Sequence, residues 1–184
     1  MTSTQVRTSK FLSLILRHKP EEAGLTLDGE GWCTVADLLK GCAAHGHQIS
    51  REELDEVVEN NDKKRFQFSD DGKRIRAVQG HSIEVDLKYE PTAPPEFLFH
   101  GTATRFLDSI KQQGLIKGSR QHVHLSWDID VARTVGARHG KPAVIVVDAA
   151  LMDRDGWEFY LTPNGVWLVD AVPVKYLNFH NLFA

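Results

Sequence analysis

Residues 65–78 read RFQFSDDGKRIRAV, and this stretch decides the first half of the chain. Arg65, Phe66, Gln67 and Phe68 alternate polar and apolar side chains, the period of a strand with one buried face. Asp71-Gly72 is a hairpin turn signal, since glycine takes the positive φ that tight turns need, and residues 75–78 return. Upstream, Ser50-Arg51-Glu52-Glu53 has the capping-box form: the serine side chain takes an orphan amide and the glutamate reaches back. The helix that follows presents Leu54, Val57 and Val58 and ends near Asn60-Asn61. Before it, Thr34 reads as the cap of a helix carrying Val35, Leu38 and Leu39, with Gly29 and Gly31 as punctuation. Leu25-Thr26-Leu27 is a short strand candidate. At the start, Phe11, Leu12, Ile15 and Leu16 form an apolar stripe on a helix over residues 4–18, stopped by Pro20.

Helix, helix, then a two-stranded wing is the order of a winged-helix domain. Residues 89–96 then bring Pro91, Pro94 and Pro95, which sustain neither a helix nor a central strand. The expected lobes are therefore 1–90 and 91–184. In the second half, Phe97-Leu98-Phe99-His100 reads as a strand ending in Gly101-Thr102, and a helix with Phe106, Leu107 and Ile110 stops at Gly114. Residues 123–126 form another strand. Asp128 caps a helix to about His139, and Gly140 and Pro142 end it. Residues 143–147 are continuously apolar, as in a strand buried on both faces. Residues 157–161 and 166–169 flank Pro163-Asn164-Gly165 as a second hairpin. The fold class expected is α+β, with a mixed sheet and flanking helices in the second lobe.

Composition excludes several classes. Of 184 residues, 41% are hydrophobic, yet no apolar run approaches the length needed to span a bilayer. Residues 1–10 are polar and lack the apolar core of a secretory signal, so a cytoplasmic location is the expectation. Cys33 and Cys42 form no CxxC pair and read as reduced thiols. The net charge of −3 does not announce nucleic-acid binding. Locally, however, Lys63, Lys64, Arg65, Lys73, Arg74 and Arg76 face only Asp70 and Asp71. Such a stretch is either a phosphate-binding patch or a solvated hairpin.

Four places could carry chemistry. Arg17-His18 closes the first helix, where two positive side chains also suit the helix dipole. Arg65 opens the basic hairpin, and Arg120 lies in a Gly-Ser-Arg-Gln loop; each alone could be a solvated surface arginine. Together they supply forks that bind phosphate oxygens bidentately and one imidazole that moves protons near neutral pH. The fourth place holds His100-Gly101-Thr102 and His122-Val123-His124. On a strand His122 and His124 share a face, which allows a metal pair, but no Asp, Glu or Cys completes a familiar ligand set, and no metal is expected. No G-x-G-x-x-G and no Walker-type loop is present.

Taken in order, Leu16-Arg17-His18-Lys19-Pro20, Gly31-Trp32, Arg65-Phe66, Arg74-Ile75-Arg76-Ala77 with Gln79-Gly80-His81-Ser82, Leu98-Phe99-His100-Gly101-Thr102, Arg120-Gln121-His122-Val123-His124-Leu125-Ser126, Arg138-His139-Gly140-Lys141-Pro142 and Asn164-Gly165-Val166-Trp167-Leu168 resemble one family. It is the NAD-dependent RNA 2′-phosphotransferases, which in fungi finish tRNA splicing. The resemblance runs from about Lys10 to Leu177. It implies an N-terminal winged-helix-like RNA-binding lobe and a C-terminal NAD-binding lobe of the ADP-ribosyltransferase fold. It also implies transfer of an internal RNA 2′-phosphate to NAD⁺, a co-substrate, through an RNA ADP-ribosylated on its phosphate. The products would be nicotinamide, RNA with a free 2′-hydroxyl, and ADP-ribose 1″,2″-cyclic phosphate.

By the same resemblance the catalytic set matches Arg17, His18, Arg65 and Arg120. His100, Gly101, Thr102, His124, Ser126 and Arg138 fall on or near the NAD⁺ site, with the Gly101 backbone toward the nicotinamide amide. Phe99 stands where the family often has Tyr. Ordinary ADP-ribosyltransferases orient the NAD ribose with a glutamate, and neither Glu96 nor Glu158, the only two in the second lobe, matches it. The implied partner is RNA carrying a 2′-phosphate; neither a membrane nor an obligate protein partner is implied. Two alternatives stay open: an ADP-ribosyltransferase acting on nucleic-acid ends or small molecules that stops after the first step, and a non-catalytic winged-helix nucleic-acid-binding module.

Overall fold

The first helix, α1 (Ser3–Arg17), begins where its exposed amides find partners. The Gln5 amide donates to the Thr2 hydroxyl and the Thr2 amide to the Gln5 side chain, a complete capping box. Leu12, Ile15 and Leu16 are fully buried. The helix stops because Pro20 restricts the residue before it. Lys19 leaves helical geometry, and Pro20–Ala23 forms a 3-10 turn. The chain then divides into two compact units, Met1–Lys88 and Tyr89–Ala184, and the computed structural model describes residues 2–61 and 63–179.

In the first unit the strand expected at Leu25-Thr26-Leu27 does not form. The Leu25 amide is taken by the Pro20 carbonyl, and Gly24 is left-handed, so this segment closes the 3-10 turn while its leucines pack on the core. The first strand is instead β1 (Cys33–Thr34). Thr34 caps α2 (Val35–Ala44) by accepting from the Asp37 amide, and Ser50 caps α3 (Arg51–Glu59) by accepting from Glu53. The reciprocal half of that second box is not made, because the Glu53 carboxylate takes the Thr8 hydroxyl on α1 at 2.9 Å. Strands β2 (Phe66–Phe68) and β3 (Arg74–Ala77) form the hairpin, with Gly72 at φ 67° in its turn. β1 adds to it, giving a three-stranded antiparallel sheet in the order β1-β3-β2 rather than a two-stranded wing. Cys33 and Cys42 lie in this core, where burial pushes their thiols up to about 12 and about 11, so both are unreactive.

The second unit is also α+β. Its elements run β4 (Phe97–Ala103), α4 (Leu107–Gln113), β5 (Leu115–Ile116), β6 (Val123–Leu125), α5 (Ile129–Gly136), β7 (Pro142–Asp148), α6 (Ala149–Arg154), β8 (Tyr160–Leu161), β9 (Trp167–Val169), β10 (Ala171–Val172) and β11 (Leu177–Asn178). They pair as β11-β7-β4, β6-β9-β8 and β10-β5, and every strand pair among the described residues is antiparallel. The expected mixed sheet is thus three small antiparallel sheets. The apolar run in β7 reflects burial on both faces: Ile145 and Val147 enter the core, and α5 packs on β4 and β7. Reciprocal bonds between Phe99 and Ser126 tie β4 to the end of β6. Among the described residues no helix is long and apolar enough to cross a membrane.

Two glycines seat α5. A Cβ at Gly101 would lie 1.7 Å from the Ala132 carbonyl oxygen, and one at Gly136 would lie 2.4 Å from that of Thr102. Backbone meets backbone here, so neither clash can relax by a rotamer change. Gly101→Ala and Gly136→Ala should each lose at least about 3 kcal/mol of stability, the upper end of ordinary overpacking. Gly29→Ala, where a Cβ meets nothing within 4 Å, should stay within about 0.5 kcal/mol. Urea unfolding measures all three; equal midpoints would contradict this seating of α5.

Candidate active site

In the first unit the end of α1 delivers two of the expected residues. Arg17 is the last helical residue and His18 the cap, whose amide donates to the Leu14 carbonyl. The segment after the hairpin returns to this end. The Ser82 amide donates to the Arg17 carbonyl at 3.0 Å, and the Ser82 hydroxyl meets His18 Nδ1 at 2.8 Å. Gly80, at φ 85°, lies against the Arg17 guanidinium. Arg17 Nη2 reaches the Arg65 carbonyl at 3.5 Å, which also accepts from Val78 at the open end of the hairpin. Arg65 Nη1 donates to Asn61 Oδ1 at 3.1 Å. Residues separated by 48 positions therefore converge.

The basic stretch does not form one patch. The register runs from Phe66↔Ala77 to Phe68↔Ile75, which puts Arg65 at one end of the hairpin and Lys73 at the other. Arg76 is buried at 7% exposure, donates to the carbonyls of Glu30 and Leu87, and lies 4.5 Å over the Trp32 ring. It is a structural arginine rather than part of a solvated face.

The second unit carries the other expected residues. His100 on β4 places Nδ1 3.2 Å from the His124 carbonyl. A carbonyl only accepts, so Nδ1 carries the proton and Nε2 is the basic nitrogen. Loss of hydration lowers the His100 pKa, the bond to His124 opposes that, and Arg120 adds to it. Arg120 Nη1 lies 3.5 Å from His124 Nδ1, and since a guanidinium only donates, that nitrogen is the acceptor. Partial desolvation and the like charge of Arg138 both lower the Arg120 pKa. The Ser126 hydroxyl accepts from the Asp128 amide and donates to its carbonyl, and the Ser126 backbone holds β4. Thus His100, Arg120, His124 and Ser126 gather. Arg138 joins through its charge alone, and Thr102 is buried beside Gly136. Gly101 sits inside β4, not at its end. The His122 and Tyr160 rings make an edge-to-face contact, with centroids 5.8 Å apart. Among the described residues no three His, Cys, Asp or Glu side chains are placed to hold a metal ion.

Sequence reasoning gave no role to Asn61 or Ser82. Asn61 resembled an ordinary helix end, and nothing local marks its contact with Arg65. Ser82 lies within a quoted motif, but its partner is 64 positions away.

His81 records the local field. It is 2% exposed, and neither ring nitrogen has a hydrogen-bond partner among the described residues. Burial, then Arg17, His18 and Arg76, bring its pKa down from 6.5 to about 4. A histidine with a depressed native pKa stabilises the fold above its unfolded pKa, and that stability is lost as pH falls through the native one. His81 should therefore contribute about 3 kcal/mol that is present above pH 6.5 and lost toward pH 4. Melting temperature against pH measures it. His81→Leu should flatten the decline between pH 6.5 and 4, and an unchanged slope would contradict the assignment.

Residues 3–171 match the family model described as RNA 2′-phosphotransferase, Tpt1 / KptA family. A probable RNA 2′-phosphotransferase of Pseudomonas fluorescens is 57% identical over 171 residues, covering 92% of this chain and 94% of that protein. One of Agrobacterium fabrum is 58% identical over 170 residues, with 92% and 91% covered. One of Trichormus variabilis is 54% identical over 177 residues, with 96% and 97% covered. A match across nearly the whole of each protein shows that the chain belongs to the RNA 2′-phosphotransferase, Tpt1 / KptA family.

Proposed function

We propose that this chain removes an internal 2′-phosphate from RNA by transferring it to NAD⁺. In the first step an oxygen of the 2′-phosphate bonds to the ribose carbon that carries nicotinamide, and the glycosidic bond breaks with its electron pair, releasing neutral nicotinamide. In the second step the ribose 2″-oxygen bonds to phosphorus and the RNA 2′-oxygen departs. The 2″-hydroxyl loses a proton and the departing oxygen gains one, so the products are RNA with a 2′-hydroxyl and ADP-ribose 1″,2″-cyclic phosphate. The observation that carries this reading is the convergence of Arg17, His18 and Arg65. The cations near the buried His81, Arg17 and Arg76, support it, since a concentration of positive charge favours an anion.

The residue roles are those the family resemblance implies, and the chemistry agrees with them. Arg17 and Arg65 hold the phosphate with guanidinium forks that keep their charge, and Arg120 is the catalytic arginine of the second unit. As negative charge crowds on phosphorus in the second step, each such contact is worth about 3 kcal/mol, a hundredfold or more in rate. His18 moves the proton, its ring turned by the contact between Nδ1 and Ser82.

For NAD⁺ the second unit offers His100, Gly101, Thr102, His124, Ser126 and Arg138. The Phe99 amide and carbonyl point toward Ser126. Backbone groups alternate along a strand, so those of Gly101 also point away from β7. That edge offers one donor and one acceptor side by side, which fits a carboxamide such as that of nicotinamide. The fold supports the same division. α1, β1, α2, α3 and the hairpin support a winged-helix-like RNA-binding lobe over residues 1–90. The small antiparallel sheets with α5 support an ADP-ribosyltransferase-like, NAD-binding lobe over residues 91–184.

Purified protein incubated with a short RNA bearing one internal 2′-phosphate tests the reading. The phosphate should be lost only when NAD⁺ is present, with release of nicotinamide. His18→Ala should let ADP-ribosylated RNA accumulate, because the second step loses its proton carrier. Turnover by His18→Ala at the normal rate would contradict the role of His18, and phosphate loss without NAD⁺ would contradict the reaction.

A further inference from the structure

We propose that Asn61 is a positioning residue that sets the guanidinium of Arg65 for the substrate phosphate; the assignment rests on the reading of Arg65 given above. Asn61 follows α3, whose cap is Asn60, and it is 1% exposed although polar. Both ends of its amide are used. Oδ1 accepts from Arg65 Nη1 at 3.1 Å and from the Lys63 amide at 3.0 Å, while Nδ2 donates to the Ser9 hydroxyl at 3.1 Å. Guanidinium and backbone amide only donate, so the atom facing them must be the oxygen, and the side chain has one orientation. Its own carbonyl is taken by the Lys64 amide at 2.8 Å. A buried amide with all these partners is expensive to turn, since each unmade bond leaves a desolvated polar group.

The far end of the side chain adds stability, because its amide nitrogen also anchors it on α1. Ser9 lies on α1, eight residues before Arg17, about 12 Å along the axis at the helical rise. The amide that holds Arg65 is thereby fixed to the helix that ends in Arg17 and His18. Arg17 closes the loop through the Arg65 carbonyl. A free arginine side chain samples many rotamers, and holding it in one removes an entropic cost from the reaction. Because the amide is neutral, this contact fixes the fork without adding negative charge beside it.

The test is a double-mutant cycle on the full chain, with 2′-phosphorylated RNA and NAD⁺. Asn61→Ala should lower kcat by about tenfold to a hundredfold, the usual effect of misplacing a reacting group, and leave the KM for NAD⁺ within about twofold. In the Arg65→Ala background, Asn61→Ala should cost less than about twofold more, because the residue through which it acts is gone. Ser9→Ala is the stability control. It should lower the melting temperature yet keep kcat within about twofold, since the Asn61–Arg65 contact survives. Asn61→Ser, which keeps a polar group but falls short of Arg65, replaces Asn61→Ala if that variant does not fold, with the same losses expected. Equal losses in both backgrounds, an Asn61 variant with unchanged kcat, or a Ser9→Ala loss as large as that of Asn61→Ala would overturn the assignment alone. An inactive wild-type chain would overturn the proposed reaction and this assignment with it.

Discussion

Much in the first unit depends on where α1 stops. Pro20 cannot follow a helical residue without a clash, so the helix ends with Arg17 as its last residue and His18 as its cap. One residue later the two side chains would project about 100° further round the axis. The carbonyl of Arg17 would then no longer receive Ser82, and His18 would leave the Ser82 hydroxyl. The helix dipole favours cations at this end, which offsets part of the cost of crowding them. Burial holds the His81 ring neutral, and the nearby Arg17, His18 and Arg76 push in the same direction. Helix termination, local charge and the placement of His18 are one arrangement seen at three levels.

The second unit rests on a different constraint, close approach of backbone to backbone. Gly101 and Gly136 let α5 lie against β4, and this leaves the β4 edge near Phe99 and Gly101 turned toward the end of β6. His100, His124 and Arg120 then form a directed chain. A carbonyl fixes the proton on one ring, and a guanidinium faces the bare nitrogen of the next. Such directed bonds orient side chains without adding acid groups to the cluster. The interiors of the two units are ordinary apolar cores of aliphatic and aromatic side chains. What is unusual lies where helix ends, strand edges and polar contacts meet.

The sequence was legible wherever the deciding interaction is local. Thr34, Ser50 and Asp128 announced their helices because a cap acts within three residues, and Asp71-Gly72 announced the hairpin for the same reason. Distant partners were not legible. Glu53 turns to Thr8 instead of closing its capping box, and Leu25 to Leu27 follow the Pro20 carbonyl instead of pairing as a strand. β5, β10 and β11 are two residues long, a single alternation and too short to show as a pattern. Arg17, His18 and Arg65 stood out by residue type, whereas Asn61 and Ser82 did not, because each acts through a partner that only the fold brings near. The close approach of α5 to Gly101, which a side chain there would block, was likewise not legible, because Ala132 is distant in sequence.

The central claim is that phosphorus moves from RNA to ADP-ribose rather than to water. The most direct measurement is to place a radioactive phosphorus in the 2′-phosphate of a short RNA, add the protein and NAD⁺, and follow the label. The account predicts that all released label appears in ADP-ribose 1″,2″-cyclic phosphate, after passing through an ADP-ribosylated RNA. Label released as inorganic phosphate would contradict it, because the two arginine-bearing clusters would then serve a hydrolysis and the Gly101 edge would have no part in the reaction.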